Sequence, residues 1–338
     1  MRGISEVARL AGVSKSTASR ALSGHGYVSD ATREKVIQAA SSIGFVVSSN
    51  AASLVTGRTR NVGVVIPHIN RWFFAEVLEG IERTLIASDY DLTLYRLSDD
   101  EEKRRRVFEY FLVRKRVDAV IAVGISLTQS EVTMLHKLGK PIVGVGGEID
   151  GIATLSIDDL AAGRFVTEHL VSLGHTRIVH LGDDTDEQID FHVHDRRLAG
   201  FWEALDAADL RHPDDFVKVE YSIPGGYEAA LRLLADPDRR PTAIVAGCDE
   251  IAIGVITAAR QLGIQVPSQL SVVGIDGHSL APMFGLTTLE QEPSVQGALA
   301  VRTALERLAR DDADPANDRI VMPATLAVRT STTAPPAA

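Results

Sequence analysis

From residue 61 onward, short apolar runs alternate with longer amphipathic segments. The strand-like runs are Val62–Ile66, Leu92–Leu94, Ala119–Val123, Ile142–Val145, Ile178–Leu181, Phe216–Val219, Ala243–Ala246 and Ser271–Ile275. Helical segments such as Phe74–Ser88, Leu160–Leu173, Leu198–Ala208, Tyr227–Leu234 and Glu250–Leu262 separate most of them. Parallel neighbours in a sheet need a long crossover, and a helix supplies one. The alternation therefore predicts parallel sheets with right-handed crossovers and helices on both faces. One large sheet could hold all the strands, but a chain of 338 residues suits two sheets of about half that number better.

The first sixty residues follow another pattern: short helices with little strand character, ending at Thr56-Gly57-Arg58-Thr59-Arg60. Charge divides at the same place. The net charge is −10, yet residues 1–60 hold eight Lys or Arg against three Asp or Glu, which makes a head of +5 on a body of −15. A basic head on an acidic body suits a protein whose head meets phosphate and whose body does not. No apolar run reaches the length of a membrane span, the opening residues Met1–Glu6 lack the apolar stretch of a signal peptide, and Cys248 is the only cysteine. Together these features point to the cytoplasm. The tail, residues 331–338, is short, polar and free of heptads, and is expected to be disordered.

In the head, Ile4, Val7, Ala8 and Ala11 fall at helical spacing, and Gly12 then permits a tight turn. Ser14 is a natural cap for a second helix, Lys15 to Leu22, with Ala18, Ala21 and Leu22 inward and Lys15, Ser16, Ser19 and Arg20 outward. A third helix, capped by Ser29 and running from Asp30 to about Ser42, supplies Val36, Ile37, Ala40 and Ile43 to a three-helix core. Two short helices joined by a glycine turn can lay the second in a major groove. By spacing alone, a purely structural three-helix bundle remains open.

The wording is more specific than the spacing. Ile4-Ser-Glu-Val-Ala-Arg-Leu-Ala-Gly-Val-Ser-Lys-Ser-Thr-Ala-Ser-Arg-Ala-Leu-Ser23, then Tyr27-Val-Ser-Asp-Ala-Thr-Arg-Glu-Lys-Val36 and Ile43-Gly-Phe45, closely resembles the DNA-binding module of LacI/GalR transcription regulators. The resemblance implies that Lys15 and Ser16 read operator bases and that Arg20 holds a third reading position. Lys or Arg donates well to guanine O6 and N7. Thr17 and Ser19 would clamp phosphates. It also implies a hinge at residues 50–60 that is too short to be a stable helix alone. On an operator such a hinge pairs with its dimer mate and wedges Leu54 into the minor groove. Ala52 and Val55 stand where a basic residue often flanks that leucine, which weakens the case for polar readout by the hinge.

Asn61-Val-Gly-Val-Val-Ile-Pro67 resembles the first strand of the same family's core, and the likeness runs to about Thr330. The implied architecture is an N-terminal all-α helix-turn-helix head (1–49) and an α/β periplasmic-binding-protein-like core (61–330) of two lobes with parallel sheets. Lobe one would take 61–156 with 292–325 and lobe two 157–291, joined by three crossing strands. Ligand would lie between them at the carboxyl ends of strands. Four places match the family's effector site. Arg71-Trp72-Phe73-Phe74 aligns with a loop usually reading Asn-Pro-Phe-Phe, and its aromatics could stack on a ring or pack in the core. Arg197, just before Leu198-Ala199-Gly200, and Asp276, ending a strand, would grip ligand hydroxyls, which favours polyols such as saccharides. Cys248-Asp249 stands where Asn-Asp or Ser-Asp is frequent, which changes the polar lining. The partners implied are double-stranded operator DNA, a small-molecule effector and a second copy of the chain, with no membrane, no cofactor and no catalysis. In that scheme ligand changes the lobe angle, lobe one shifts at the dimer interface, and the hinges separate.

Two enzyme readings compete. His192-Val-His194 could set two imidazoles on one side of a strand, as a metal-dependent hydrolase requires, but no second ligand cluster of matching spacing accompanies it. Gly144-Val-Gly146-Gly147 follows a strand, but Ile149 occupies the third glycine position of a dinucleotide fingerprint. A solute-binding protein would share the body and have no use for residues 1–57.

Overall fold

The structure is a computed structural model, described here for residues 3–23, 26–45, 58–97, 100–112, 117–137, 139–147, 149, 151–183, 192–310 and 318–336. Two units separate: residues 1–61 with 115–118, and 62–114 with 119–338.

In the first unit, α1 (Ile4–Ala11) stops at Gly12, whose left-handed φ of 66° admits a residue without a Cβ at little cost. Helix α2 (Lys15–Ser23) is capped by Ser14, whose Oγ accepts from the Thr17 amide at 3.1 Å. Helix α3 (Asp30–Ser42) closes the bundle. Val7, Ala8, Ala18, Ala21, Val36, Ala39 and Ala40 form its core, with Ile4, Leu22 and Ile43 packed against them. Ile37, expected inside, is 48% exposed, and Ala39 takes its place. From Val36 the inward stripe of a helix advances three, four and seven residues, to 39, 40 and 43, while position 37 is turned about 100° away. Leu54 and most of the expected hinge lie outside the described residues.

The second unit begins with β1 (Asn61–Ile66), α4 (Trp72–Ala87), β2 (Asp91–Arg96), α5 (Glu101–Arg106), β3 (Ala119–Val123), α6 (Gln129–Lys137), β4 (Ile142–Val145) and β5 (Ala153–Ser156). It continues through α7 (Asp159–Ser172), β6 (Ile178–Gly182), α8 (Val193–Ala207), β7 (Phe216–Lys218), α9 (Ile223–Leu234), β8 (Ala243–Ala246), α10 (Asp249–Gln261), β9 (Ser271–Asp276), α11 (Ala281–Phe284) and β10 (Thr287–Glu290). It ends with α12 (Pro293–Ala309), β11 (Arg319–Val321) and β12 (Thr325–Ala327). Two six-stranded sheets result, ordered β11-β5-β4-β3-β1-β2 and β12-β10-β9-β8-β6-β7. The orders are the same once β6–β10 are set beside β1–β5, so the lobes repeat one topology although no repeat is legible in the residues. The pairings β1–β3, β3–β4, β4–β5, β6–β8, β8–β9 and β9–β10 are parallel. Strand β12 alone, among the pairings described, runs antiparallel, against β10.

The chain passes between the lobes three times: from β5 into α7, from β10 into α12, and from β11 into β12. Lobe one is filled by Val64, Ile66, Ile81, Leu85, Ile121 and their neighbours, lobe two by one apolar cluster on each side of its sheet. Helices α7 and α8 cross at glycines: a Cβ at Gly163 would collide with the Arg197 carbonyl, and one at Gly200 with the Leu160 carbonyl. This backbone-level approach brings the start of α7 beside Arg197 on α8.

The C-terminal residues depart from the expectation of a disordered tail. Ser331 is buried, donates to the Val272 carbonyl at 2.6 Å and accepts from the Thr287 amide at 2.8 Å. The Thr333 carbonyl accepts from Ser271 Oγ at 3.1 Å and sits 2.9 Å from His175 Nε2. Composition suggested disorder, but the backbone polar groups of this segment find partners on lobe two, which a sequence pattern does not reveal.

Candidate functional site

A cavity of about 340 Å³ opens between the lobes of the second unit. Its walls come from the carboxyl ends of strands: His68 after β1, Gly124 after β3, Ser156 in β5, Asp183 after β6, Tyr221 after β7, Cys248 after β8, Asp276 at the end of β9 and Gln291 after β10. Parallel strands point their carboxyl ends one way, so loops and helix starts converge there.

Arg197 is the centre of the site. It is 4% exposed, donates from Nε to Asp159 Oδ1 at 2.9 Å and from Nη1 to the Gly247 carbonyl at 2.6 Å, and reaches Asp276 Oδ1 at 3.4 Å. Burial works against its charge, but the carboxylates of Asp159 and Asp276 outweigh that and hold the guanidinium ionised. Burial raises Asp276 to about 7, although Arg197 pulls the other way. Asp249, fully buried, rises to about 6 through burial, offset in part by the Thr288 hydroxyl and the His278 amide. Asp276 also has a φ of 132°, a strained backbone for a residue with a Cβ, and it is held there by Arg197 and by Gln291 Nε2 at 2.7 Å. One buried cation between the Asp159 and Asp276 carboxylates supplies both donor and acceptor atoms at the cavity wall.

The residues singled out in the sequence separate as follows. Arg71, Phe73, Arg197, Cys248 and Asp276 line the cavity. Arg71 reaches across the cleft, donating to the Tyr221 carbonyl and approaching Glu220 Oε1 at 3.4 Å. Trp72 is not among the lining residues: its ring stacks on His278 with centroids 4.7 Å apart, and its Nε1 donates to Ser279 Oγ at 3.1 Å. As the first residue of α4 it projects toward the loop after β9 and joins the lobes beside the cavity. Burial pushes the Cys248 thiol well above its usual range, so it lies there as a neutral group. Asp159 and Gln291 belong to the cluster and carry no local signal; they lie 38 and 15 residues in sequence from the partners they touch.

The histidine pair does not sit on a strand. His192 caps α8 and lies 3.1 Å from Asp195 Oδ2, while His194, in the first turn, stacks on the Tyr221 ring at 3.6 Å. Among the described residues no group of three or more His, Cys, Asp or Glu is placed to hold a metal. Among the same residues no helix is long and apolar enough to cross a membrane.

Beneath the cluster, His180 on β6 is fully buried between Phe201 and Phe216, and neither ring nitrogen has a hydrogen-bond partner among the described residues. Burial, aided by Arg197, pushes it down to about 3. Its folded value lies below the ordinary 6.5, so the unfolded chain binds the proton first. Its contribution to stability is complete above pH 6.5 and is lost as pH falls toward 3. His180→Phe is expected to flatten the acid limb of the stability profile by up to about 1.4 kcal/mol per pH unit within that window. Urea denaturation of both proteins at a series of pH values checks this, and identical slopes would count against a buried neutral imidazole.

In the first unit, Lys15, Ser16 and Arg20 stand on the exposed face of α2, and Thr17 and Ser19 are half-buried at its flank. Arg20 Nε donates to the Ser16 carbonyl at 3.3 Å, which lays the side chain along the helix toward its N-terminus. Thr17 Oγ1 is 2.8 Å from Ser14 Oγ, within the cap.

The family model described as bacterial regulatory proteins of the lacI family matches residues 3–48, and the one described as a periplasmic binding protein-like domain matches residues 167–332. Catabolite control protein A of Priestia megaterium is 31% identical over 317 residues, covering 92% of this chain and 94% of its own. Among solved structures, the transcriptional regulator CelR in complex with cellobiose is 26% identical with a TM-score of 0.69, covering 97% of this chain and 99% of that one. The lac repressor dimer bound to operator and the anti-inducer ONPF shares the fold, with a TM-score of 0.83 at 22% identity, covering 98% of this chain and 99% of that one. A basic three-helix head, a two-lobed parallel core with a polar cleft, and a relative of this identity along nearly the whole chain lead to one conclusion: the protein belongs to the LacI family of bacterial regulatory proteins.

Proposed function

We propose that the protein is a sequence-specific DNA-binding repressor that grips a palindromic operator as a homodimer and is switched by a small polyhydroxylated ligand, a saccharide, in its cleft. The observation that carries this reading is the outer face of α2, where Lys15, Ser16 and Arg20 stand exposed in a head that matches the lacI-family model. Lys15, Ser16 and Arg20 would read bases, Thr17 and Ser19 would hold phosphates, and Leu54 would enter the minor groove. A head of this size contacts few base pairs, so two copies on a symmetric site are needed for useful specificity. The lac repressor is known as an operator-bound dimer, which supports the same arrangement here.

The cleft supports the ligand class. Arg197 and Asp276 offer charged donors and acceptors to adjacent hydroxyls, Phe73 gives a ring face, and Arg71 and Cys248 complete the lining. A volume of about 340 Å³ is within the range of small-molecule sites. The regulator CelR is known with cellobiose bound, and that also favours a sugar. The protein would act by binding, without catalysis, in the cytoplasm.

Selection of bound duplexes from a random pool by the full chain tests the reading. A palindromic consensus with half-sites about one helical turn apart is expected. Affinity should fall steeply with salt and change when ribose, cellobiose or another saccharide is added. An unenriched pool at every ligand condition would remove the proposal.

A further inference from the structure

Two buried amides stand behind the ionic cluster of the cleft. Gln291 is 3% exposed and donates from Nε2 to Asp276 Oδ1 at 2.7 Å. Gln296, in the first turn of α12 and fully buried, donates from Nε2 to the Gln291 main-chain carbonyl at 2.8 Å and to the Gln291 Oε1 at 3.2 Å. A carboxamide has a donor end and an acceptor end of nearly the same shape, so the contacts of one end decide which way the other points. Gln296 offers its NH2 to Gln291 Oε1, which leaves the Gln291 NH2 for the carboxylate. Were Gln291 turned over, its oxygen would meet a carboxylate oxygen and its NH2 would meet the NH2 of Gln296. Gln296 itself is fixed by the Gln291 main-chain carbonyl, which can only accept.

Gln296 Oε1 is buried and has no hydrogen-bond partner among the described residues. An apolar side chain of the same length would avoid that cost. What the amide adds at this position is therefore the NH2 aimed at Gln291.

We propose that Gln296 is a positioning residue of the ligand cleft: it sets the orientation of the Gln291 carboxamide and through it holds the Asp276 carboxylate for use beside Arg197. This rests on the reading of the cleft as the ligand site. Gln296 belongs to a lobe-one helix, Gln291 to a segment crossing between lobes, and Asp276 to a lobe-two strand, so the relay spans the joint that must move when ligand changes the lobe angle. The charged and titratable groups facing Asp276 are Arg197 from α8 and Cys248, Asp249 and Glu250 at the start of α10, with Asp159 from α7 on the far side of Arg197. None of these touches Gln296 in the hydrogen bonds described, so a change at Gln296 reaches Asp276 through Gln291.

The test uses the full chain without ligand, carrying aspartate labelled with ¹³C at the carboxyl carbon, with the Asp276 signal identified by its loss in Asp276→Asn. Gln296→Met, close in length and shape, is expected to raise the titration midpoint of Asp276 by about one pH unit, a tenfold change in its acid constant, because the Gln291 NH2 that favours the charged form is no longer held on the carboxylate. Gln291→Met should do the same, and the double variant should move no further than Gln291→Met alone. A midpoint unchanged in Gln296→Met overturns the proposal, as does a double variant whose shift is the sum of the two. Gln296→Asn, too short to reach Gln291, repeats the comparison should the Met variant fail to fold. A wild-type protein whose melting is moved by no saccharide would count against the ligand class only, since the midpoint comparison contains no ligand.

Discussion

Arg197→Ala is expected to lower the stability of the core by about 3–5 kcal/mol, the usual consequence of removing one partner from a buried ionic group. Asp159, Asp276 and Asp249 would then lie in the interior with no cation among them, and the Gly247 carbonyl would lose its donor at 2.6 Å. Protonation of the carboxylates is their only relief, so the loss should be smaller at pH 5 than at pH 8. Urea denaturation at both values measures it. Arg197→Lys separates folding from ligand use: it keeps a charge but not the planar fork that meets Asp159, Gly247 and Asp276 together. That variant should fold, bind operator, and lose its response to saccharide by tenfold or more in concentration, an estimate of about 1.4 kcal/mol or greater. Wild-type unfolding of Arg197→Ala together with a wild-type response of Arg197→Lys would place the centre of the site elsewhere.

The second large effect belongs to the head. In the proposed reading, a base contact by Lys15 or Arg20 discriminates by about 1–3 kcal/mol and a homodimer makes each contact twice, so Lys15→Ala or Arg20→Ala should cost about 2–6 kcal/mol per dimer on the selected operator. Binding to unselected duplex should fall much less, and the selected consensus should lose definition at the affected position. Ser19→Ala is the contrast: with Ser19 in the phosphate-holding role proposed above, which carries no sequence information, its loss should weaken all duplexes alike. Repeating the selection with each variant reads both effects. A consensus as sharp as wild type from Lys15→Ala and from Arg20→Ala would remove these residues from base readout.

The head was legible because its determinants are local. Gly12, the Ser14 cap and the alanines of α2 act within one or two turns, and the one misplaced core residue, Ile37 for Ala39, was an error of phase within a correctly located helix. The eight strands read from apolar runs were found, whereas β5, β10, β11 and β12 were not. Strand β10 opens with Thr287 and Thr288, both fully buried, whose polarity hides it; β11 and β12 are three residues each and are made strands by the neighbours they join. In the cleft, the wording around Arg197 and Asp276 singles out two residues that the structure places in the cavity wall. Trp72 falls in the cleft by its alignment with a loop usually reading Asn-Pro-Phe-Phe, yet its ring is claimed by His278 and Ser279 of the opposite lobe while Arg71 and Phe73 line the cavity.

Taken by itself, the amino-acid sequence determined whatever depends on residues close together along the chain: a basic three-helix head, an alternating parallel core, and the loops that end its strands. Only the tertiary structure decided which distant groups meet, namely Asp159 with Arg197 across a glycine crossing, Gln291 and Gln296 behind Asp276, and the C-terminal residues laid along lobe two. The reason is physical. Helix periodicity and capping act over a few residues and leave a repeating trace in the sequence, whereas a buried hydrogen bond between groups many residues apart is specified by packing and leaves none.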